Sequence, residues 1–162
     1  HMPNHSTLGY IYNIMGDYDK AIEILEKRIE IAPESFGSYA YLAGSYMLKG
    51  NYKKAVELLQ QERLDGFKFA GLAATYFLMG DQSASDEVLA KLKLKQELGW
   101  DWQVVQAHAA RGEFDEAFAA MDAAYESRDT GLQLILGDRF IEPLRTDPRY
   151  DAMVDKLGLS IR

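Results

Sequence analysis

The sequence has no cysteine among its 162 residues. Disulfide bonds, zinc sites with thiolate ligands and a cysteine nucleophile are therefore excluded. Long apolar runs are also missing: although 48% of the residues are apolar, no stretch approaches the roughly 20 residues of a membrane-spanning helix. We therefore predict neither a disulfide-stapled fold nor a membrane partner.

Basic residues are also fewer than acidic ones. The chain has 18 lysines and arginines against 25 aspartates and glutamates, which gives a formal net charge of −7. An acidic surface repels a phosphate backbone, so direct binding to nucleic acid is not expected. A cytoplasmic location is predicted, and a periplasmic one stays open because the lack of cysteine does not decide the compartment.

The sequence offers few groups for catalysis. Only three histidines are present, and His108 has no second metal ligand at helical spacing. A phosphate-binding loop motif is absent, the carboxylate pairs fall at expected turns, and the serines have no histidine in a recognisable relation. We predict a protein that is not an enzyme and that uses no cofactor or metal.

A short phrase recurs four times, each time beginning with a glycine. The glycines are separated by 34, 30 and 32 residues, and each is followed by aspartate, asparagine or glutamate. An aromatic residue and an alanine come next in three of the copies. A period of this length is typical of repeat proteins. The phrases begin at Gly16, Gly50, Gly80 and Gly112.

Each phrase predicts a tight turn between two antiparallel helices. Glycine adopts the left-handed conformation that ends a helix, and Asp17, Asn51 and Asp81 suit the N-cap of the next one. Apolar residues recur at helical spacing on both sides, and no segment alternates for long enough to predict a strand. Gln82 and Ser85 replace the aromatic residue and the alanine in the third unit, which we expect to pack less tightly.

The pattern resembles the tetratricopeptide repeat (TPR) family. In the first unit the resemblance rests on Leu8, Gly9, Tyr12, Gly16, Tyr18, Ala21 and Pro33. In the second it rests on Ala43, Tyr46, Gly50, Tyr52 and Ala55. The fourth keeps Gly112, Phe114, Ala117 and Ala124 but has His108 at the tyrosine position. The resemblance implies an all-α fold, a right-handed α-solenoid of about four helix-turn-helix units with C-terminal capping helices.

This resemblance suggests a division of the chain. Residues 1–2 are interpreted as a tag remnant, and residues 3–128 as four repeats, at about 3–34, 35–64, 66–97 and 98–128. Residues 129–162 are expected to form the capping helices, because the end of a repeat stack otherwise exposes an apolar face. A short apolar helix is predicted near residues 132–136. Asp147 and Pro148 predict the start of a final helix, which Gly158 ends.

The tail resembles the ends of TPR regions in bacterial multi-domain regulators, including adenylate-cyclase-like and winged-helix proteins. That resemblance rests on Phe140, Pro143, Arg145 and residues 147–150 and 156–159. It implies that a catalytic or DNA-binding domain precedes this chain. If an upstream helix has been removed, the face of residues 6–15 is uncovered and is expected to pair with a second copy as a homodimer.

In a TPR stack the first helix of each pair lines a concave groove, and helical spacing predicts which side chains face it. Aromatic, methionine and amide side chains are common at binding hot spots, so we predict that a protein or peptide segment binds there. Met47 and Phe77 can instead belong to the core. A small-ligand or peptide sensor using the same groove is the alternative function. The predicted groove residues are Tyr10, Asn13, Tyr41, Met47, Phe67, Phe77, Trp102, Gln103 and Gln106.

Overall fold

The computed structural model describes residues 5–159, apart from the side chains of residues 5 and 97. The predicted tag remnant at residues 1–2 lies outside the described residues. The described part of the chain is all-helical, with nine α-helices and no strand, as the sequence predicts. The helices are α1 (His5–Met15), α2 (Tyr18–Ile31), α3 (Ser38–Leu48), α4 (Tyr52–Leu59), α5 (Asp65–Leu78), α6 (Gln82–Lys93), α7 (Asp101–Ala110), α8 (Phe114–Ser127) and α9 (Pro148–Lys156).

The first eight helices form four pairs that stack in sequence order. Each odd-numbered helix from α1 to α7 packs against its own partner, and α1, α3 and α5 also pack against the next odd-numbered helix. Thus α1, α3, α5 and α7 lie side by side and form one face, which we call the inner face. This arrangement is the α-solenoid that the repeats predict.

The turn within each pair is built as the sequence indicates. The four hinge glycines have φ between 73° and 83°, a conformation that a Cβ atom disfavours. Asp17, Asn51 and Asp81 then accept hydrogen bonds from the backbone N–H three residues later. Each of these caps satisfies an N–H group that the helix start leaves free.

In the third pair, Ser85 occupies the position that an alanine has in the other three pairs, and it adds a hydrogen bond there. Ser85 is as fully buried as Ala21, Ala55 and Ala117. Its hydroxyl donates to the carbonyl of Ala73 at 2.7 Å, so burial leaves no unsatisfied donor. Our expectation of looser packing is therefore not supported at this position.

The C-terminal part begins with two short 3₁₀ helices, Thr130–Leu134 and Glu142–Thr146, and ends in α9. The predicted apolar helix near residues 132–136 is thus a 3₁₀ turn. Asp147 caps α9, Pro148 opens it, and Gly158 follows it with φ +70°, as predicted. Arg149 of α9 reaches Asp115 of α8 at 2.7 Å and lies 4.3 Å from the centroid of the Phe118 ring. Helix α9 therefore packs beside α8 at the end of the stack.

Candidate binding groove

Residues 135–141, which we call the crossing segment, bind the inner face at the last pair of helices. The Asp138 carboxylate accepts hydrogen bonds from Trp102 Nε1 at 3.0 Å, Gln106 Nε2 at 2.6 Å and the backbone N–H of Phe140 at 2.9 Å. Asp138 is completely buried. Burial raises the pKa of its carboxyl group, and the three donors oppose that effect. A buried carboxylate needs such donors to offset its lost hydration.

The crossing segment also reaches the first pair. Arg139 Nε donates a hydrogen bond to the backbone carbonyl of Ile14 at 2.9 Å. A Cβ atom on Gly137 would lie 3.2 Å from the Ile14 side chain, which indicates how closely the Gly137 backbone approaches that side chain. The segment thus spans from α7 to α1 and covers part of the inner face with the protein's own chain.

The ring of Phe140 contacts the middle of the inner face. A Cβ atom on Gly44 of α3 would lie 2.9 Å from Phe140 Cζ, so the absence of a side chain at Gly44 makes room for the ring. Phe140 was not among the predicted groove residues. In the sequence it was noted only as part of the resemblance of the tail, and nothing in its turn-rich surroundings indicates a contact with the inner face.

Beside Phe140 lies an apolar pocket between α1, α3 and α5, with a cavity volume of about 60 Å³. Five of the predicted groove residues line it: Tyr10, Tyr41, Met47, Phe67 and Gln106. Small residues such as Ala40 and Gly44 form much of the remaining lining. The pocket is therefore bounded by the repeats on one side and by the crossing segment on the other.

The other four predicted residues are buried or engaged by other residues within the fold. Trp102 is completely buried and donates a hydrogen bond to Asp138. Gln103 is buried as well. Asn13 donates to the Tyr41 carbonyl at 3.1 Å and accepts from the Ser45 hydroxyl at 2.8 Å. Phe77 lies under Arg111, with 5.5 Å between the guanidinium carbon and the ring centroid.

Four aromatic rings form a row along one side of the pocket. The ring centroids of Tyr10 and Tyr41 are 5.2 Å apart, those of Tyr41 and Phe67 5.8 Å, and those of Phe67 and Trp100 5.7 Å. Tilted and edge-on contacts at these distances are favourable. The sequence analysis missed Trp100, although it follows Phe67 by about one repeat length. Each unit thus supplies one ring.

Two buried carboxylates lie close to this row. Glu62 accepts hydrogen bonds from the backbone N–H groups of Gly37 at 3.3 Å and Ala40 at 3.1 Å, near the start of α3. Burial, followed by the nearby carboxylates of Glu62 and Asp138, raises the pKa of Tyr41. Burial and Asp138 likewise raise the pKa of Tyr10 far above its usual value. The two carboxyl groups therefore lie near enough to the pocket to influence its two tyrosine hydroxyls.

A second polar cluster lies away from the pocket, at the turn between α7 and α8. Arg111 is buried and pairs with Asp86 at 2.6 Å and with Glu113 at 2.7 Å, and it also donates to the Ser85 hydroxyl. His108 Nδ1 lies 2.6 Å from Glu113 Oε2. Burial lowers the pKa of His108, and the bond to Glu113 opposes this shift. The cluster ties the third pair of helices to the fourth.

Within residues 5–159, no group of three histidine, cysteine, aspartate or glutamate side chains is placed to hold a metal ion. None of the helices in the described part of the chain is long and apolar enough to cross a membrane.

A comparison with known families identifies one part of the stack. Residues 14–66, from the end of α1 to the start of α5, match the family model described as tetratricopeptide repeat. A search of curated proteins found no match. Over these residues the chain is similar to tetratricopeptide repeat proteins, and the stacked helix pairs continue the same helical pattern from α1 to α8.

Proposed function

We propose that this protein is a non-catalytic interaction module that binds a protein or peptide segment on its concave inner face. Tetratricopeptide repeats generally mediate protein–protein interactions and typically have no catalytic activity. The observation that carries the proposal is the apolar pocket beside the row of aromatic rings. Aromatic side chains offer large contact areas at little conformational cost, which favours them at binding hot spots.

The proposal assigns two roles to the predicted groove residues. Those that line the pocket, namely Tyr10, Tyr41, Met47, Phe67 and Gln106, contact the partner. The remaining four act from within the fold, because their side chains are buried or engaged by other residues. In this assignment residues 3–128 supply the repeats, and residues 129–162 cap the stack and form one wall of the pocket. The four supporting residues are Asn13, Phe77, Trp102 and Gln103.

A selection from random peptides displayed on phage tests this function. Ala40 lines the pocket, so Ala40→Trp fills it, whereas Ala90→Trp adds the same bulk at an exposed position on α6. We expect selected peptides to bind the wild type and Ala90→Trp equally and to lose at least tenfold in affinity for Ala40→Trp. Failure to select peptides, or equal binding to all three proteins, would contradict the proposal.

A small-ligand or peptide sensor is the second candidate function, and the presence of a formed pocket favours it. A thermal-shift screen of small metabolites separates the two candidates. A compound that raises the melting temperature of the wild type and of Ala90→Trp, but not that of Ala40→Trp, would support the sensor. A screen without such a compound would leave the interaction module as the better account.

The wider setting is also part of the proposal: a cytoplasmic regulatory protein of bacterial type, with neither membrane nor nucleic acid as a direct partner. Self-association through α1 is included because Ile11 and Met15 are 43% and 68% exposed. Light scattering across a dilution series should then detect a dimer, and the Met15→Glu variant should shift it toward monomer. A monomer at every concentration would argue against self-association.

A further inference from the structure

The pocket contains a buried hydroxyl group that the fold leaves unsatisfied. Tyr10 lines the pocket and is 8% exposed, and no described residue provides its hydroxyl with a hydrogen-bond partner. Buried polar groups in proteins nearly always have a partner. A buried hydroxyl without one costs free energy in the free protein, so the Tyr10 hydroxyl is available to a group supplied from outside.

The size and the lining of the pocket restrict which kind of ligand can supply that group. Its cavity volume is about 60 Å³, whereas an engineered cavity that holds benzene measures about 150 Å³. The lining is apolar apart from the Tyr10 and Tyr41 hydroxyls and the Gln106 amide. A branched aliphatic side chain fits this space better than an aromatic ring.

The charge around the pocket limits the occupant further. Glu62 and Asp138 are both buried nearby, and the chain has a net charge of −7. An occupant with a carboxylate would be repelled in this low-dielectric environment. A neutral carbonyl oxygen, by contrast, can accept a hydrogen bond from Tyr10 without adding charge.

We propose, building on the proposed function, that the pocket takes one aliphatic side chain of a partner peptide, and that a backbone carbonyl beside this side chain accepts the hydrogen bond of the Tyr10 hydroxyl. The crossing segment supplies Phe140 as the opposite wall. The recognised unit is therefore an internal, uncharged stretch of peptide. A free C-terminus and an acidic residue are disfavoured at this point.

Blocked amino acids provide probes of this unit. N-acetyl-leucine N-methylamide, N-acetyl-alanine N-methylamide and the carboxylate N-acetyl-leucine are titrated into the ¹⁵N-labelled full chain. We expect the leucine amide to perturb the amide signals of Gly44 and Gly71 at the pocket and to bind at least fivefold more tightly than either other probe. No perturbation by the leucine amide, or tighter binding of the carboxylate, would overturn the inference.

The Tyr10→Phe variant tests the hydrogen bond itself. Loss of one hydrogen bond should weaken binding of the leucine amide about fivefold, while the melting temperature of the free protein stays equal or rises. Tyr46→Phe is the matched control, because its hydroxyl already donates to Glu26 Oε1 at 3.0 Å and does not line the pocket. This control should leave the affinity for the probe unchanged.

The outcomes separate this inference from the proposed function. If phage-selected peptides are lost with Ala40→Trp but the leucine amide binds Tyr10→Phe as tightly as the wild type, the function stands and the role of Tyr10 is wrong. If Ala40→Trp affects neither the peptides nor the probe, both are wrong.

Discussion

Arg139 donates a hydrogen bond from Nε to the backbone carbonyl of Ile14 at 2.9 Å, although 125 positions separate the two residues. This contact joins the C-terminal part of the chain to the first repeat. With the bonds of Asp138 to Trp102 and Gln106, it fixes the path of the crossing segment over the inner face. This path brings the ring of Phe140 to the edge of the pocket.

The first prediction concerns Asp138. In Asp138→Asn one carboxylate oxygen becomes an NH₂ group that faces an N–H donor, so we expect the free energy of unfolding to fall by about 2–3 kcal/mol. Urea denaturation measures the change. Asp155→Asn, at an exposed site in α9, is the control and should stay within about 0.5 kcal/mol of the wild type. Equal losses in the two variants would show that Asp138 does not anchor the segment.

The second prediction concerns the contact between Gly44 and Phe140. Alanine in place of a helical glycine normally stabilises by about 1 kcal/mol, but in the wild type the new methyl group collides with Phe140. We expect Gly44→Ala to stabilise the Phe140→Ala background and to give no gain in the wild type. A double-mutant cycle by urea denaturation should then return a coupling energy of about 1–2 kcal/mol. A coupling energy near zero would place Phe140 elsewhere.

The third prediction concerns Arg111. Its guanidinium group is buried and bonds Ser85, Asp86 and Glu113, so Arg111→Leu should lower the free energy of unfolding by about 2–4 kcal/mol. Arg63→Leu is the matched control, because the Arg63 side chain is 60% exposed in its pair with Glu34. Exposed pairs contribute about 0–1 kcal/mol. Similar losses in both variants would contradict the importance of the buried cluster.

The fourth prediction is a pH dependence at His108. Its pKa is lowered by burial, against the opposing effect of Glu113. Below about pH 6.5 the unfolded chain gains a proton that the folded state binds less readily. Stability is therefore lost as the pH falls through this range. His108→Tyr carries no such group, so the wild type should lose stability relative to it between pH 7 and pH 5 in urea titrations. A relative gain on acidification would reverse the assignment.

The fold could be predicted from the sequence because its signals are local. The hinge glycines act within one turn, and the caps Asp17, Asn51 and Asp81 bond residues three positions away. Asp147 and Pro148 signal the last helix in the same way. Interactions of this range are readable from spacing alone.

The inner face was less accessible to sequence reasoning because its structure depends on a long-range contact. Helical spacing turns Tyr10, Tyr41 and Phe67 toward the pocket. The same spacing cannot indicate that Asp138 and Phe140 return to this face from the tail. For that reason the sequence offered no sign that Trp102 bonds a carboxylate of the protein's own chain.

The bridge from the fourth pair of helices to Ile14 has a consequence for how the molecule unfolds and evolves. In an open repeat array each unit contacts only its neighbours, so the ends can fray alone and units can be duplicated with little disturbance. Here the crossing segment connects the fourth pair of helices to the first pair. Fraying at one end must break contacts at the other, and a fifth pair inserted between α1 and α7 would pull Arg139 out of reach of Ile14.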